Sequence, residues 1–537
     1  MKFISITKGV SGFLLAAMLA ACGGGGGGAA PPPVATVPPV VAPPVPAQPD
    51  LAQPNLAYPI PGSLWSAPVA NLPTSGNYIY LQSTSGDYIG QGRTYLYTQA
   101  NAAMTFSIDT LGVEARVAAN ENWNGRFRLP KAAGALQAGY FKELTRAAFS
   151  DPAVGGLDWS GEGRGCNTIK GWVVIDNIVQ TGGMLSALDM RFEQYCEGGG
   201  PPLRGQVHWT RANADNVTPP QPAPIPAGLW KVMPSAAMAA GNYFYLEGGF
   251  GNFVTGGRTY SYDQTNAAFR IRADGSHLIV GIAGNENWNG DFQGMGGMPQ
   301  LTVGYYADLK RYPFHNPVLG GMDWDGESRG CNRLDGWFAV DSVSYSGSTL
   351  TAIDLRFEQL CENEAAPLRG QLHWRADDST TAPGPQAVPA GLWSPGASFV
   401  PPAGNYVYLV SEPGDYIGGG FTQLLTQDAT PFLVDRSLTA ALRIGVGGHE
   451  GNFVGMSSLS QLQPGYYGNL QGYPFHNVMR GGLSWNSPGR ACNTLEGWFV
   501  VDRVSYSMGQ LTAIDLRFEQ YCGRDAAALR GVIHWAK

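Results

Sequence analysis

The sequence is poor in charge. Lysine, arginine, aspartate and glutamate make up 14% of it, and the net charge is −7. It holds no basic patch or stripe, which argues against a nucleic-acid partner. HExxH and CxxC are absent, as is a phosphate loop or dinucleotide fingerprint in a βαβ setting. The usual marks of zinc hydrolases, zinc ribbons and nucleotide enzymes are therefore missing. No segment sustains an apolar period of 3.6 residues between caps, so long amphipathic helices are not expected. Beyond Cys22 no stretch is long and apolar enough to span a bilayer as a helix. Glycine (74) and proline (39) are plentiful, as expected of a chain rich in turns.

Lys2 and Lys8 precede an apolar stretch from about Val10 to Ala21. Residues 1–22 read as a signal peptide, too short to span a membrane. Leu19-Ala20-Ala21-Cys22 resembles the lipobox of bacterial lipoproteins. That resemblance implies acylation of Cys22, which becomes the first mature residue, and Gly23 in place of aspartate implies the outer membrane. Glycines 23–28 and a Pro/Ala/Val tract follow. Such composition cannot build a core, so residues 23–62 read as a disordered tether, flexible at first and then semi-stiff.

The remaining cysteines are Cys166 and Cys196, Cys331 and Cys361, and Cys492 and Cys522, each pair 30 positions apart. One pair per repeat at one separation points to pairing within each repeat, in an oxidising, exported compartment. The surrounding sequence recurs three times: GRGCNTIKGWVVID, SRGCNRLDGWFAVD and GRACNTLEGWFVVD, each followed by a RFEQ-x-C segment and an LRG-x-x-HW ending. The expected domains are residues 63–211, 226–376 and 389–537, with linkers at 212–225 and 377–388. Each copy is about the size of one ordinary domain.

GNYIYL, GNYFYL and GNYVYL alternate as strands do, and GWFAVDSVSY, a Ser-Gly turn and LTAIDLRFEQLC read as a hairpin. The fold class expected is all-β, three tandem antiparallel sandwich-like domains with one disulfide each. The module resembles a β-rich domain of exported bacterial proteins, marked by a GLDWSGxGRGCN stretch, a GxFxV strand and a DFEQxCEG…LxG ending. Those marks fall here on Gly156 to Asn167, Gly171 to Val174 and Asp189 to Gly205, with counterparts in the other copies. Copy 3 departs from them with ACN and CGRD. The resemblance implies an exported, disulfide-bonded module and no particular activity.

All 14 tryptophans fall in recurring slots: Trp65/230/393, Trp123/288, Trp159/324/485, Trp172/337/498 and Trp209/374/535. Trp159, Trp324 and Trp485 sit in Gly-rich loops, and Trp123 and Trp288 sit in the polar loop NENWNG. An indole among amides suits stacking on a sugar ring, which makes these five the candidate ligand-binding residues. Asp158 and Glu162 in copy 1, and Asp323, Asp325 and Glu327 in copy 2, alternate through the loops DWSGE and DWDGE. Hard oxygen ligands so arranged are candidates for calcium, the one cofactor considered. Gly326 to Gly330 matches GxSxG, but the nucleophile elbow needs a strand-turn-helix setting that a β domain does not offer. Asp354, Arg356 and Glu358 face Arg369, Gln371 and His373 if the last two strands pair. They form either a recognition face or a cross-strand charge ladder.

No catalytic constellation emerges, and the chain reads as a non-enzyme. The leading expectation is a membrane-anchored display of three modules for multivalent binding, to polysaccharide or a cell surface, with flexible linkers raising avidity. The alternative is a structural envelope protein with protein partners, and a polymer-degrading enzyme ranks last. The display face is periplasmic or extracellular.

Overall fold

The computed structural model describes residues 57–216, 219–233, 241–362, 366–435, 440–523 and 527–537. Cys22, the signal peptide and the tether to residue 56 lie outside them. Among the described residues no helix is long and apolar enough to cross a membrane.

The chain forms three tandem all-β domains, each a single ten-stranded sheet with one disulfide. In domain 1 the strands are β1 (Tyr78–Ser83), β2 (Thr94–Thr98), β3 (Ala103–Ile108), β4 (Gly112–Ala118) and β5 (Trp123–Arg128), then β6 (Gly139–Arg146), β7 (Gly156–Gly161), β8 (Ile169–Thr181), β9 (Met184–Cys196) and β10 (Leu203–Thr210). Their order is β2-β1-β10-β9-β8-β6-β7-β5-β4-β3, and domains 2 and 3 repeat it. Neighbours run antiparallel except β6 and β7, which run parallel.

The sheet folds back on itself. Phe127 of β5 lies 5.2 Å from Phe192 of β9, and Trp159 of β7 lies 5.1 Å from it, centroid to centroid. Phe106 of β3 meets Trp209 of β10 at 5.5 Å. The two halves thus share one core, as a sandwich does. Alternation decides which side chains enter it: Leu203, Gly205, Val207 and Trp209 of β10 are buried, and the residues between them are half-buried.

The longest strands, β8 and β9, form a hairpin around Gly182 and Gly183. Ile169 pairs with Cys196 at its open end, and the Cys166–Cys196 bridge closes that end with 5.2 Å between Cα atoms. A bridge spanning 30 positions stabilises each domain by about 3–4 kcal/mol in the chain-entropy model.

The domain boundaries shift from those expected. Tyr58 exchanges backbone hydrogen bonds with Tyr140 of β6 at 3.0 and 3.1 Å, although composition assigned it to the tether. Ala223 and Gln386, both assigned to linkers, bridge to Tyr305 and Tyr466 in the same way. An extended proline-rich segment can still lend one bonded pair to a sheet edge, which hydropathy does not reveal. The strap lies so close that a Cβ on Gly304 would sit 2.7 Å from Cβ of Pro222. A short helix, α1 (Arg211–Asp215), begins the first linker, and Thr210 caps it by accepting from the Asn213 amide.

Candidate functional site

The five candidate tryptophans are core residues. Trp159, Trp324 and Trp485 are 0% exposed, as is Trp123, and Trp288 is 1% exposed. None presents a face to a ligand, so their assignment to binding is corrected. Gly156 and Gly161 gave this segment the look of a loop, yet it is strand β7. There Leu157 and Trp159 point inward, while Asp158 and Ser160 are half-buried on the opposite face. Each of these tryptophans lies over a glycine of the neighbouring strand: a Cβ on Gly290 would meet the Trp324 ring at 2.4 Å. Trp123 and Trp288 donate from Nε1 to the hydroxyls of Tyr97 (2.6 Å) and Tyr262 (3.0 Å).

The FEQ motif has its own structural task. Gln359 Oε1 accepts from the Trp324 amide, and its Nε2 donates to the Trp324 carbonyl, both at 2.9 Å. Gln194 and Gln520 hold Trp159 and Trp485 likewise. The side-chain amide stands in for a ladder partner and satisfies both backbone groups of the buried tryptophan.

The calcium residues do not converge. Alternate side chains on one face of a strand stand about 7 Å apart, which spreads carboxylates rather than wrapping them round an ion. Asp158 and Asp323 pair with Arg146 (3.6 Å) and Arg311 (3.0 Å). Glu162 and Glu327 turn away to accept from the amides of Asn122 and Asn287, each at 2.7 Å. Asp325 meets the Asn289 amide at 3.4 Å. Among the described residues no group of three or more His, Cys, Asp and Glu gathers as a metal site. Gly326 to Gly330 is a tight hairpin turn with Glu327 and Ser328 at φ of 50° and 61°, and strand Leu334–Ser346 follows, not a helix.

The polar ladder forms as expected, with Asp354 opposite His373, Arg356 opposite Gln371 and Glu358 opposite Arg369. Its groups are occupied by the domain itself. Arg356 donates to the carbonyl of Trp230 at 2.6 Å, and Arg191 and Arg517 do the same for Trp65 and Trp393 at 2.9 Å. Gln371 and Gln206 accept from the amides of Val232 and Ala67. The ladder therefore straps down the amino-terminal segment of each domain.

Two other features face outward in every copy. The first is an aromatic at the tip of the loop that follows the first strand: Tyr88 (59% exposed), Phe253 (55%) and Tyr416 (51%). The loop beneath it is rigidly held. Buried Asp87 accepts from the amides of Ile89 (3.1 Å) and Gly90 (2.8 Å) and from the Ser83 hydroxyl (2.6 Å). Asp415 repeats this with Ile417, Gly418 and Ser411, while Asn252 holds Thr255. From the far side the arginine of the GRGC stretch clamps the same loop: Arg164 donates to Ile89 O, Arg329 to Val254 O and Arg490 to Tyr416 O. None of these aromatics is a tryptophan, so the recurring indole slots do not reveal them. Their signal is the pattern Asp/Asn, aromatic, aliphatic in DYI, NFV and DYI. A second exposed aromatic recurs at Phe149, Phe314 and Phe475.

The second feature is a shallow groove on the outer face of the four strands at the β3 end of the sheet. In domain 1 it has a volume of about 450 Å³ and runs between Thr105, Ser107, Arg116, Asn124 and Ser160, with the Glu114–Arg126 ion pair (3.1 Å) across it. Domains 2 and 3 place grooves on the equivalent strands, but with Arg270, Arg272 and Asp291, and with Leu433, Arg443 and Glu450. Beside the domain 2 groove, burial pushes the Asp323 carboxyl up to about 6 in spite of Arg311, with Asp325 and Asp291 adding to the rise. Its folded value lies above the ordinary 3.8, so the folded state holds the proton more tightly. The stability this adds is complete below about pH 4 and is lost as pH rises through 6. Carboxyl-detected NMR titration is expected to place the Asp323 midpoint near 6. A midpoint below 4 would show the site to be open to water.

No protein-family model matches the chain, and no curated protein matches it in sequence.

Proposed function

We propose that this chain is a lipid-anchored protein of the bacterial outer membrane. It binds an extended, hydroxyl-rich polymer, a polysaccharide of a cell surface, through its three domains. The observation that carries this reading is the exposed aromatic at one position in every copy: Tyr88, Phe253 and Tyr416. An exposed aromatic gains nothing for the fold where it stands, and here it rides on a loop braced from both sides. Such preorganisation lowers the ordering cost of binding, and a flat ring face suits the apolar face of a sugar. The grooves supply hydrogen-bonding groups on the same domains. The order of basic region, apolar core and Leu-Ala-Ala-Cys supports the anchor on Cys22.

The test is a binding screen of glycans and envelope polymers with oxidised, unlipidated residues 52–537. Tyr88→Ala, Phe253→Ala and Tyr416→Ala are expected to weaken a hit about tenfold or more together, at about 1 kcal/mol or less each, with folding unchanged. A blank screen from folded protein would sink the polysaccharide reading. The second reading is an envelope-assembly role with a protein partner. It is favoured by the divergence of the grooves, where Glu114, Ile279 and Arg443 occupy equivalent strand positions. Cross-linking to one partner would support it.

A further inference from the structure

The two junctions between domains are built alike. At the first, the Asn316 side-chain amide of domain 2 donates to the backbone carbonyl of Asn101 in domain 1, at 2.8 Å. At the second, Asn477 of domain 3 donates to the carbonyl of Asn266 in domain 2, also at 2.8 Å, and to Asn285 Oδ1. Asn316 and Asn477 hold the same place in their domains, at the end of a Tyr-Pro-Phe-His-Asn segment. Asn101 and Asn266 hold the same place in theirs. There each locks a turn, with Oδ1 accepting from the amide of Thr98 (2.8 Å) or Asp263 (2.9 Å). A neighbouring contact recurs in kind: Asn120 donates to Asp308 O, and Gln471 donates to Asn285 O. The junction asparagines are 1% and 2% exposed, so these hydrogen bonds are shielded from water.

The linkers are held as well. Gln99 Nε2 donates to Asn213 O at 2.7 Å in the first, and in the second Ser458 Oγ donates to Pro383 O at 2.6 Å. This is not the arrangement of beads on flexible linkers.

The ends of the series differ from its middle. Domain 1 carries Asp151 where the others carry the junction asparagine. The local turn is the same: Asp151 Oδ1 accepts from the Ala153 amide (2.8 Å), as Asn316 Oδ1 accepts from Val318 (2.9 Å) and Asn477 Oδ1 from Met479 (2.9 Å). The carboxylate, however, has no N–H to donate, and Asp151 is exposed. Domain 3 alters the accepting half: the turn keeps its backbone carbonyl but loses the side chain whose Oδ1 locks it. Ala429 stands at the position of Asn101 and Asn266 in the same turn. Gly447 and Gly448 alone replace the loop that carries Asn120 or Asn285 in the other copies.

We propose that the three domains form one fixed series through a single head-to-tail interface used twice, and that domains 1 and 3 each blunt the half that the middle domain uses, domain 1 by an opposing carboxylate and domain 3 by loss of the locking asparagine and its neighbouring loop. A head-to-tail contact that does not close generates open filaments unless its ends are blunted. Repeat arrays blunt them with altered terminal units. Asp151 would set a carboxylate against a carbonyl, a repulsive pair, at the one place where an incoming copy needs a donor.

Domain 1 supplies the test, because it folds with aspartate at this position. Asn316→Asp and Asn477→Asp together keep the acceptor of the turn and remove the donor of the interface. The described residues from 57 to 537 belong to one compact unit, and residues 52–537 are the material to use. Hydrogen exchange is expected to show the amides of segments 312–317 and 473–478 protected in the wild type, and those of 147–152 unprotected. In the double variant the junction segments exchange about tenfold faster, as loss of a shielded hydrogen bond requires, while the cores keep their protection. X-ray scattering is expected to fit one arrangement for the wild type and a broadened, larger ensemble for the variant. Wild-type scattering of freely jointed domains would overturn the proposal, as would a variant indistinguishable from the wild type in both measurements.

Discussion

Replacing Gln359 with leucine is expected to destabilise domain 2 by about 4 kcal/mol. The two side chains are close in volume, so little cavity is created. What is lost is the partner of two buried backbone groups, the amide and the carbonyl of Trp324. Each orphaned group costs about 1–3 kcal/mol, because the core offers no water to replace the glutamine. Gln359 is 0% exposed and also donates to Cys331 Sγ at 3.1 Å, so the same change loosens the packing beside the disulfide. A whole domain is stable by only about 5–15 kcal/mol, which makes the effect visible by hydrogen exchange on the intact chain. Domains 1 and 3 serve as internal controls. A loss under about 1 kcal/mol would mean that another group satisfies the Trp324 backbone.

Trp324→Ala is expected to cost domain 2 about 4–5 kcal/mol, at the upper end for a buried aromatic. The indole packs against Phe244 at 4.5 Å and Phe357 at 5.1 Å, and Gly290 lies beneath it. Its removal leaves a hole lined by three strands. Phe253→Ala, by contrast, is expected to leave stability within about 0.5 kcal/mol, as exposed positions do. Urea unfolding of both variants separates a core aromatic from a displayed one. If Trp324→Ala unfolds at the wild-type midpoint while Phe253→Ala does not, the division drawn between core and site is reversed.

The strands, the repeat and the disulfide framework were legible in the sequence because alternation and spacing are local properties. LTAIDLRFEQ carries its hydrogen-bonding register on its face, and the ladder of Asp354, Arg356 and Glu358 formed opposite the residues expected. The burial of the tryptophans is hidden in the sequence for a physical reason. Gly161 and Gly290 suggested loops, yet each records the close approach of an aromatic ring or a carbonyl from the next strand. A glycine placed for packing and one placed for a turn look the same in a sequence. Carboxylates in DWDGE suggested convergence for the same reason: a loop can wrap them, but a strand fans them apart. The displayed aromatics were hidden because a tyrosine between an aspartate and an isoleucine resembles any strand. Its exposure depends on Asp87 tying down the loop from below. Boundaries were blurred where proline-rich segments lend a single bonded pair to the sheet.

The asymmetry of the junctions also sets a grammar for chain length. Domain 2 carries both the donor asparagine and the asparagine-locked accepting turn; domain 1 carries the locked turn, and domain 3 carries the donor. A gene that duplicates the middle unit would yield four domains with every coupling matched. Deleting that unit would yield two, still matched and still blunt at both ends. Duplicating either terminal unit would instead place a mismatch inside the series. The reach of the molecule is thus adjustable in whole-domain steps at one location, without redesign of any contact.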